Sequence, residues 1–115
     1  MLSEHEYKEV WQAAEARPLS AVWSYSEPED GQHPVTFHQR REIFFWLLER
    51  LLKEGRIKLA KHGHLLKGSI DEQLDRFSQV FPKTEAEMED GIWFFDEICP
   101  GGAVWVLKDG SLEWT

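Results

Sequence analysis

Cysteine is nearly absent from this sequence, since Cys99 is the only one among 115 residues. An intramolecular disulfide is therefore excluded, and we expect Cys99 to be a small buried apolar residue. The chain does not open with a basic stretch followed by an apolar run, so we predict no signal peptide. The densest apolar run, residues 43–52, contains Glu49 and Arg50 and is too short to span a bilayer. These absences predict a cytoplasmic protein without a membrane partner.

Motifs for metal binding and catalysis are also lacking. A zinc site needs clustered His, Cys or carboxylate ligands, whereas His62 and His64 stand alone on either side of Gly63 in an expected turn. No nucleophile elbow indicates a serine hydrolase. The glycine pair 101–102 leads into an expected strand and not into a helix that would hold a phosphate. We therefore predict no cofactor, no metal and no catalytic residue.

One carboxylate pair keeps an enzymatic alternative open. Asp96 and Glu97 directly follow the aromatic run 93–95. A carboxyl group packed against such rings would have a raised pKa and could act as a general acid. We favour the simpler interpretation that both side chains lie in solvent. An uncharacterised small enzyme remains an alternative function.

Length and composition predict one globular domain over residues 1–115. Hydrophobic residues make up 42% of the chain and charged residues 30%, which excludes intrinsic disorder and allows one real core. The six tryptophans and seven phenylalanines are more than a core of this size holds comfortably. We therefore expect some aromatic rings at the surface.

Helix-start signals recur along the chain. A hydroxyl residue stands three positions before Glu or Gln in several places, a spacing that satisfies free backbone donors at a helix start. The pairs are Ser3 with Glu6, Thr36 with Gln39, Ser69 with Glu72 and Thr84 with Glu87. They predict helices over 4–16, 37–54 and 70–80 and a short acidic turn after Thr84. For residues 19–25 we favour a short helix over a strand.

Strand signals lie in the second half of the chain. Alternating apolar residues over 57–65 predict a hairpin with His62-Gly63 at its turn. The stretches 103–107 and 111–114 are joined by Asp109-Gly110, a strong hairpin signal. Residues 92–95, an isoleucine followed by the aromatic run, are a further candidate strand. Helices followed by antiparallel hairpins predict an α+β fold, with the helices packed on a small antiparallel β-sheet.

The positive charge is concentrated in the middle of the chain. Residues 35–67 carry a net charge of +5, although the whole chain carries −8. A nucleic-acid-binding regulator using segment 40–67 is therefore an alternative function. The overall negative charge opposes it, and we predict no nucleic-acid partner. The same bases could instead pair with the acidic stretches of the chain itself.

The acidic residues are concentrated on both sides of this basic stretch, in residues 1–34 and 68–115. Six acids and no base lie between residues 85 and 97. Such a face repels nucleic acid and attracts cationic partners, although it is equally typical of a solvated surface that maintains solubility. The candidate partner-binding residues are Glu27, Glu29, Asp30, Glu85, Glu87, Glu89, Asp90, Asp96 and Glu97.

Several stretches of residues 35–115 resemble a small bacterial family of unknown function. They are 51–55, 57–59, 68–73, 81–82, 93–96, 102–106 and 110–114, of which the aromatic positions are the most specific. Members of that family look like immunity proteins encoded beside contact-dependent or polymorphic toxins. The resemblance implies a cytoplasmic, non-enzymatic protein that binds and neutralises a cognate toxin domain, with a cationic toxin as partner. It transfers no catalytic residue and leaves the toxin and the oligomeric state open.

Overall fold

Helices and a four-stranded sheet make up the observed architecture, which confirms the predicted α+β class. The computed structural model describes residues 2–27 and 35–115. In chain order the elements are α1 (Glu4–Ala14), α2 (Leu19–Ser24), α3 (Phe37–Lys53), β1 (Ile57–Lys61), β2 (His64–Leu65), α4 (Ile70–Val80), α5 (Glu85–Met88), a 3₁₀ segment (Glu89–Phe95), β3 (Gly102–Val106) and β4 (Leu112–Trp114). The favoured helix over 19–25 is present as α2.

The helix starts follow from local hydrogen bonds. At Ser3, Thr36 and Ser69 the hydroxyl oxygen accepts from the amide three residues later at 3.1 Å, and that residue's side chain accepts from the capping residue's own amide. These three predicted capping boxes are confirmed. Helix α1 ends at Ala14, two residues before its predicted end, because the chain reaches a left-handed φ of 65° at Ala16.

Helix α3 forms the centre of the core. Its side chains Phe44, Leu47, Leu48 and Leu51 are completely buried. The Phe44 ring lies 5.4 to 5.8 Å, centroid to centroid, from three rings of other elements, namely Trp23, Phe81 and Phe94. Aromatic pairs at this distance stabilise a core beyond their buried area. The helix thereby joins α2, the end of α4 and the 3₁₀ segment into one apolar layer.

The sheet has the strand order β2-β1-β3-β4, and every neighbouring pair is antiparallel. The β1–β2 turn has positive φ at both central residues, 52° at His62 and 78° at Gly63, which matches the twist of a tight hairpin. Both predicted hairpins are therefore confirmed. The inward side chains Ile57, Leu59 and Trp105 enter the core, and the Trp105 indole donates to the Arg17 carbonyl at 2.7 Å.

The predicted strand at 92–95 is wrong, because these residues belong to the 3₁₀ segment. Trp93 and Phe94 are both buried, whereas Ile92 and Phe95 are exposed. Neighbouring residues of a strand point to opposite faces, so a strand at the surface would bury only one of the two rings. A 3₁₀ turn places both on the core side. The aromatic run has the composition of a strand, but burial of two consecutive rings decides the conformation.

Left-handed backbone conformations cluster where α5 meets the 3₁₀ segment. Glu89, Asp90 and Gly91 have φ values of 51°, 55° and 95°. A left-handed conformation costs a residue with a Cβ about 1–2 kcal/mol. This bend turns the chain so that the acidic helix α5 is followed immediately by the buried Trp93.

We expect Glu89→Gly to raise the free energy of unfolding by about 0.5–1 kcal/mol, because glycine adopts positive φ without the Cβ clash. The matched control is Glu87→Gly, which removes the same charge from a helical position in α5. That variant should lose about 1 kcal/mol. Urea denaturation followed by tryptophan fluorescence measures both. Equal destabilisation by the two substitutions would contradict the assignment of backbone strain to Glu89.

Candidate protein-binding surface

The acidic segment predicted for binding lies at the surface, with its acidic side chains exposed and Met88, Gly91, Trp93 and Phe94 buried beneath them. We call residues 85–98 the acidic ridge; it comprises α5, the 3₁₀ segment and the turn that follows. The Thr84 hydroxyl accepts from the Glu87 amide at 3.2 Å and starts α5. All six acids of the ridge are exposed: Glu85, Glu87, Glu89, Asp90, Asp96 and Glu97.

Three large apolar side chains of the ridge are also exposed. Ile92 is 62% exposed, Phe95 69% and Ile98 55%. Ile92 and Phe95 are three residues apart, a spacing that brings side chains onto one side of a 3₁₀ helix. Ile98 follows in a turn, where its amide donates to the Asp96 carboxylate at 3.1 Å. The prediction that some aromatic rings lie at the surface is confirmed by Phe95 here and by Trp114 on β4, whereas the two isoleucines were missed by the sequence analysis. The sequence signal that could have identified Ile92 and Ile98 is the presence of apolar residues within an acidic stretch.

Two of the six ridge acids contact cationic side chains of the chain itself. Glu85 lies 4.0 Å from Arg40, and Glu97 lies 2.9 Å from His62 Nε2 and 3.7 Å from Lys61. The hydrogen bond and electrostatic interaction with His62, followed by the charge of Lys61, lower the pKa of Glu97. Within the described residues, no cationic side chain lies within 4.0 Å of the other four: Glu87, Glu89, Asp90 and Asp96. Most of the ridge charge is therefore uncompensated at short range.

Arg40 connects Glu27 to the ridge. Its Nη1 lies 3.8 Å from Glu27 and 4.0 Å from Glu85. Its Nη2 donates to the Trp23 carbonyl at 2.9 Å, and its guanidinium stands 4.2 Å above the Trp23 ring. Glu27, Glu85 and Asp90 line one depression of about 340 Å³ around this arginine. The structure brings these predicted site residues together, whereas Glu29 and Asp30 lie outside the described residues.

The enzymatic interpretation of Asp96 and Glu97 required an apolar environment. Both side chains are exposed, and the pKa of Glu97 is lowered instead of raised. A carboxylate with a lowered pKa is a poor general acid at neutral pH. The favoured interpretation of a pair in solvent is confirmed for these two residues.

Five of the eight bases in segment 40–67 are paired with carboxylates of the chain. Arg50 contacts Glu4 at 2.6 Å and Glu54 at 2.8 Å, and Arg56 contacts Glu54 at 2.9 Å. Lys53 contacts Glu49 at 2.7 Å. The remaining two of the five are Arg40 and Lys61, described above. For these five bases the structure shows the internal pairing that the sequence left open as an alternative.

Aromatic rings of α1 complete this network. The Arg50 guanidinium lies 3.9 Å from the Tyr7 ring centroid, and that of Arg56 lies 3.8 Å from the Trp11 centroid. The Tyr7 hydroxyl donates to Glu54 at 2.9 Å. Burial, followed by the hydrogen bond to Glu54, raises the pKa of Tyr7 to about 12. Burial alone would raise the pKa of Glu54, but hydrogen bonds from Arg50, Arg56 and Tyr7 lower it.

Cys99 is buried, as predicted. Its Sγ lies 3.4 Å from the Gly101 carbonyl oxygen, and burial raises the pKa of the thiol to about 11. His62 of the H-x-H pair is bound to Glu97. Over residues 2–27 and 35–115, no group of three or more His, Cys, Asp or Glu side chains could hold a metal ion. In the same part of the chain, no helix combines the length and apolarity needed to cross a membrane.

Comparison with known proteins identifies a family but no activity. The family described as "Protein of unknown function, DUF596" matches residues 52–115. A solved structure of an uncharacterized protein conserved in bacteria, from Neisseria meningitidis, is similar to this chain with a TM-score of 0.79 and 29% sequence identity. The similarity covers 96% of this chain and 88% of that one. No curated protein matches the sequence. The predicted small bacterial family of unknown function is confirmed, and the immunity function stays a prediction.

Alkaline pH tests the contact between Tyr7 and Glu54. The pKa of Tyr7 is about 12 in the folded protein, compared with about 10 for an unfolded tyrosine. Its contribution to stability is therefore complete below about pH 10 and is lost as the pH rises through about 12. We expect the wild type to lose stability more steeply over this range than Tyr7→Phe. Urea denaturation at a series of pH values measures the difference, and parallel curves for the two proteins would contradict it.

Thiol reactivity tests the inert character of Cys99. At about pH 8 a thiol with a pKa of about 11 is almost entirely protonated, and its burial excludes the reagent. We expect a chromogenic disulfide reagent to label the native protein at least about 100-fold more slowly than the same protein in urea. A native rate equal to the unfolded rate would indicate an accessible thiolate and revive the enzymatic alternative.

Proposed function

The chain belongs to DUF596, a family of proteins of unknown function, and from this premise we propose that it is a non-enzymatic protein-binding domain. Its proposed role is that of an immunity protein, which binds and neutralises a cognate bacterial toxin domain in the cytoplasm. We expect the surface of the toxin that contacts this domain to be cationic. The sequence resemblance to immunity proteins and the chemistry of the acidic ridge both support this role.

The observation that carries the proposal is the combination of exposed apolar and acidic side chains on the acidic ridge. Ile92, Phe95 and Ile98 are each more than half exposed, and uncompensated acids flank them. Protein interfaces typically have apolar or aromatic anchors at the centre and charges at the rim. Carboxylates around such anchors accelerate association with a cationic partner and exclude anionic ones.

The ridge is held rigidly beneath these exposed groups. Trp93 and Phe94 are buried against Phe81, with ring centroids 5.2 and 6.2 Å away. Lys61 donates to the Cys99 carbonyl at 2.8 Å and to the Glu97 carbonyl, which fixes the turn that presents Ile98. A surface ordered before binding loses little conformational entropy on association. This rigidity supports binding of a folded partner.

The pairing of the basic segment argues against nucleic acid as the partner. Phosphate contacts require lysine and arginine side chains that are available to the ligand. Arg50 and Arg56 instead contact Glu4, Glu54 and aromatic rings of α1. The toxin-binding proposal requires none of these cations.

The test is binding to the toxin domain encoded next to this gene. We expect the triple variant Glu87→Ala, Asp90→Ala, Asp96→Ala to weaken binding at low salt by about 10-fold or more, mainly through slower association. Phe95→Ala should instead accelerate dissociation, because it removes an apolar anchor. Surface plasmon resonance at a series of salt concentrations separates the two effects.

The matched control is the triple variant Glu15→Ala, Asp75→Ala, Glu113→Ala, which removes three exposed acids outside the ridge. It should change affinity less than about 3-fold, because only the net charge is altered. If the ridge variant keeps the wild-type affinity and salt dependence, the ridge is not the toxin-binding surface. Absence of any binding to the adjacent toxin would overturn the immunity role itself.

A further inference from the structure

The sheet has a second face that the core does not use. Strand register places the inward residues Ile57, Leu59, Ala103 and Trp105 in the core. Because side chains alternate along a strand, their neighbours point away from the helices. We call this set the outer sheet face: Lys58, Ala60, Leu65, Gly102, Val104, Val106, Leu112 and Trp114.

The outer sheet face is almost entirely apolar. Leu65 is 41% exposed, Leu112 40% and Trp114 48%. The main cluster of core side chains among the described residues contains none of the outer-face residues. Ala60 and Val104 are buried although they lie outside that cluster, so the exposed apolar area of this face lies at Leu65, Leu112 and Trp114. Antiparallel sheets commonly present polar residues on such a face, so an apolar one indicates an interaction site.

Lys58 is the only charged residue of the outer sheet face. It stands on β1 opposite Val104, and no carboxylate of the described chain lies within 4.0 Å of its Nζ. The bases near it in sequence, Arg56 and Lys61, are both paired with the chain's own acids. The outer sheet face therefore presents apolar side chains and one lysine that has no carboxylate partner among the described residues. A complementary ligand has apolar side chains and a carboxylate.

The outer sheet face by itself is smaller than the area that a stable dimer of this chain would bury. Four strands spaced about 4.8 Å apart and at most five residues long cover at most roughly 20 by 17 Å, about 340 Å². A stable dimer buries about 800 Å² on each partner. A second copy would also bring no acid from its own outer face to meet Lys58. An α-helix, about 10–12 Å in diameter, fits within these dimensions.

We propose that the outer sheet face binds an amphipathic helix of a partner protein, with apolar side chains along one stripe and a carboxylate that pairs with Lys58. A helix packed on a sheet face is the arrangement that already covers the inner side of this sheet. The binding site is distinct from the acidic ridge and opposite to it in charge. The protein would then hold two partner segments of different chemistry on separate surfaces.

The experiment uses two labelled synthetic helical peptides of about 16 residues, with the same leucine stripe flanked by glutamates in one and by lysines in the other. Fluorescence anisotropy at physiological salt measures affinity, and amide NMR shifts locate the site on the full chain. We expect the glutamate peptide to shift residues of the outer sheet face. The substitution Lys58→Glu should weaken this peptide by about 5-fold or more, because an attractive contact becomes repulsive.

The matched control is Lys8→Glu, which makes the same charge change at an exposed position on α1. It should alter the affinity of the glutamate peptide by less than about 2-fold, and circular dichroism checks that both variants fold. Absence of outer-face shifts, or equal effects of the two substitutions, would overturn the proposal. Dimerisation of the wild type that Trp114→Glu abolishes would assign the face to a second copy and also overturn it. None of these outcomes alters the acidic ridge, so the toxin-binding proposal is tested separately.

Discussion

The arginines along α3 and just after it determine how the rest of the structure distributes its charge. Arg40, Arg50 and Arg56 are held by carboxylates of the same chain and by the rings of Trp23, Tyr7 and Trp11. Each ring contact joins a cation of the central region to α1 or α2. A guanidinium group suits this role because its plane stacks on a ring while its donors reach carboxylates. Five of the eight bases in segment 40–67 are thereby paired within the chain.

The exposed acids that lack a cationic partner among the described residues make the surface of the acidic ridge negatively charged. The chain has eight more acids than bases, and much of the positive charge is used between α1, α2 and α3. Among residues 2–27 and 35–115, no cationic side chain lies within 4.0 Å of Asp90 or Asp96, which share with exposed Phe95 a segment anchored by two buried rings. On the sheet, Lys58 is left alone among apolar side chains. One scaffold therefore presents two surfaces of opposite charge, each with apolar groups available for contact.

The local elements could be predicted because their signals lie within a few residues of each other. The capping pairs at Ser3, Thr36 and Ser69 close hydrogen bonds over three residues, and the His62-Gly63 turn needs only two left-handed conformations. The 92–95 segment could not be predicted in this way. Its aromatic composition favours a strand, but its conformation depends on distant partners such as Phe44 and Phe77, which bury both Trp93 and Phe94.

The sequence by itself determined the fold class, the helix starts, the hairpin turns and the net charge, because each depends on composition or on neighbouring residues. Tertiary structure decided which charges are neutralised and which apolar groups remain exposed. Arg50 meets Glu4 across 46 positions of sequence, and Tyr7 meets Glu54 across 47. No pattern in the sequence encodes those distances. Whether a carboxylate has a cationic partner, or a ring has a neighbour, depends on chain segments that meet only after the core has packed.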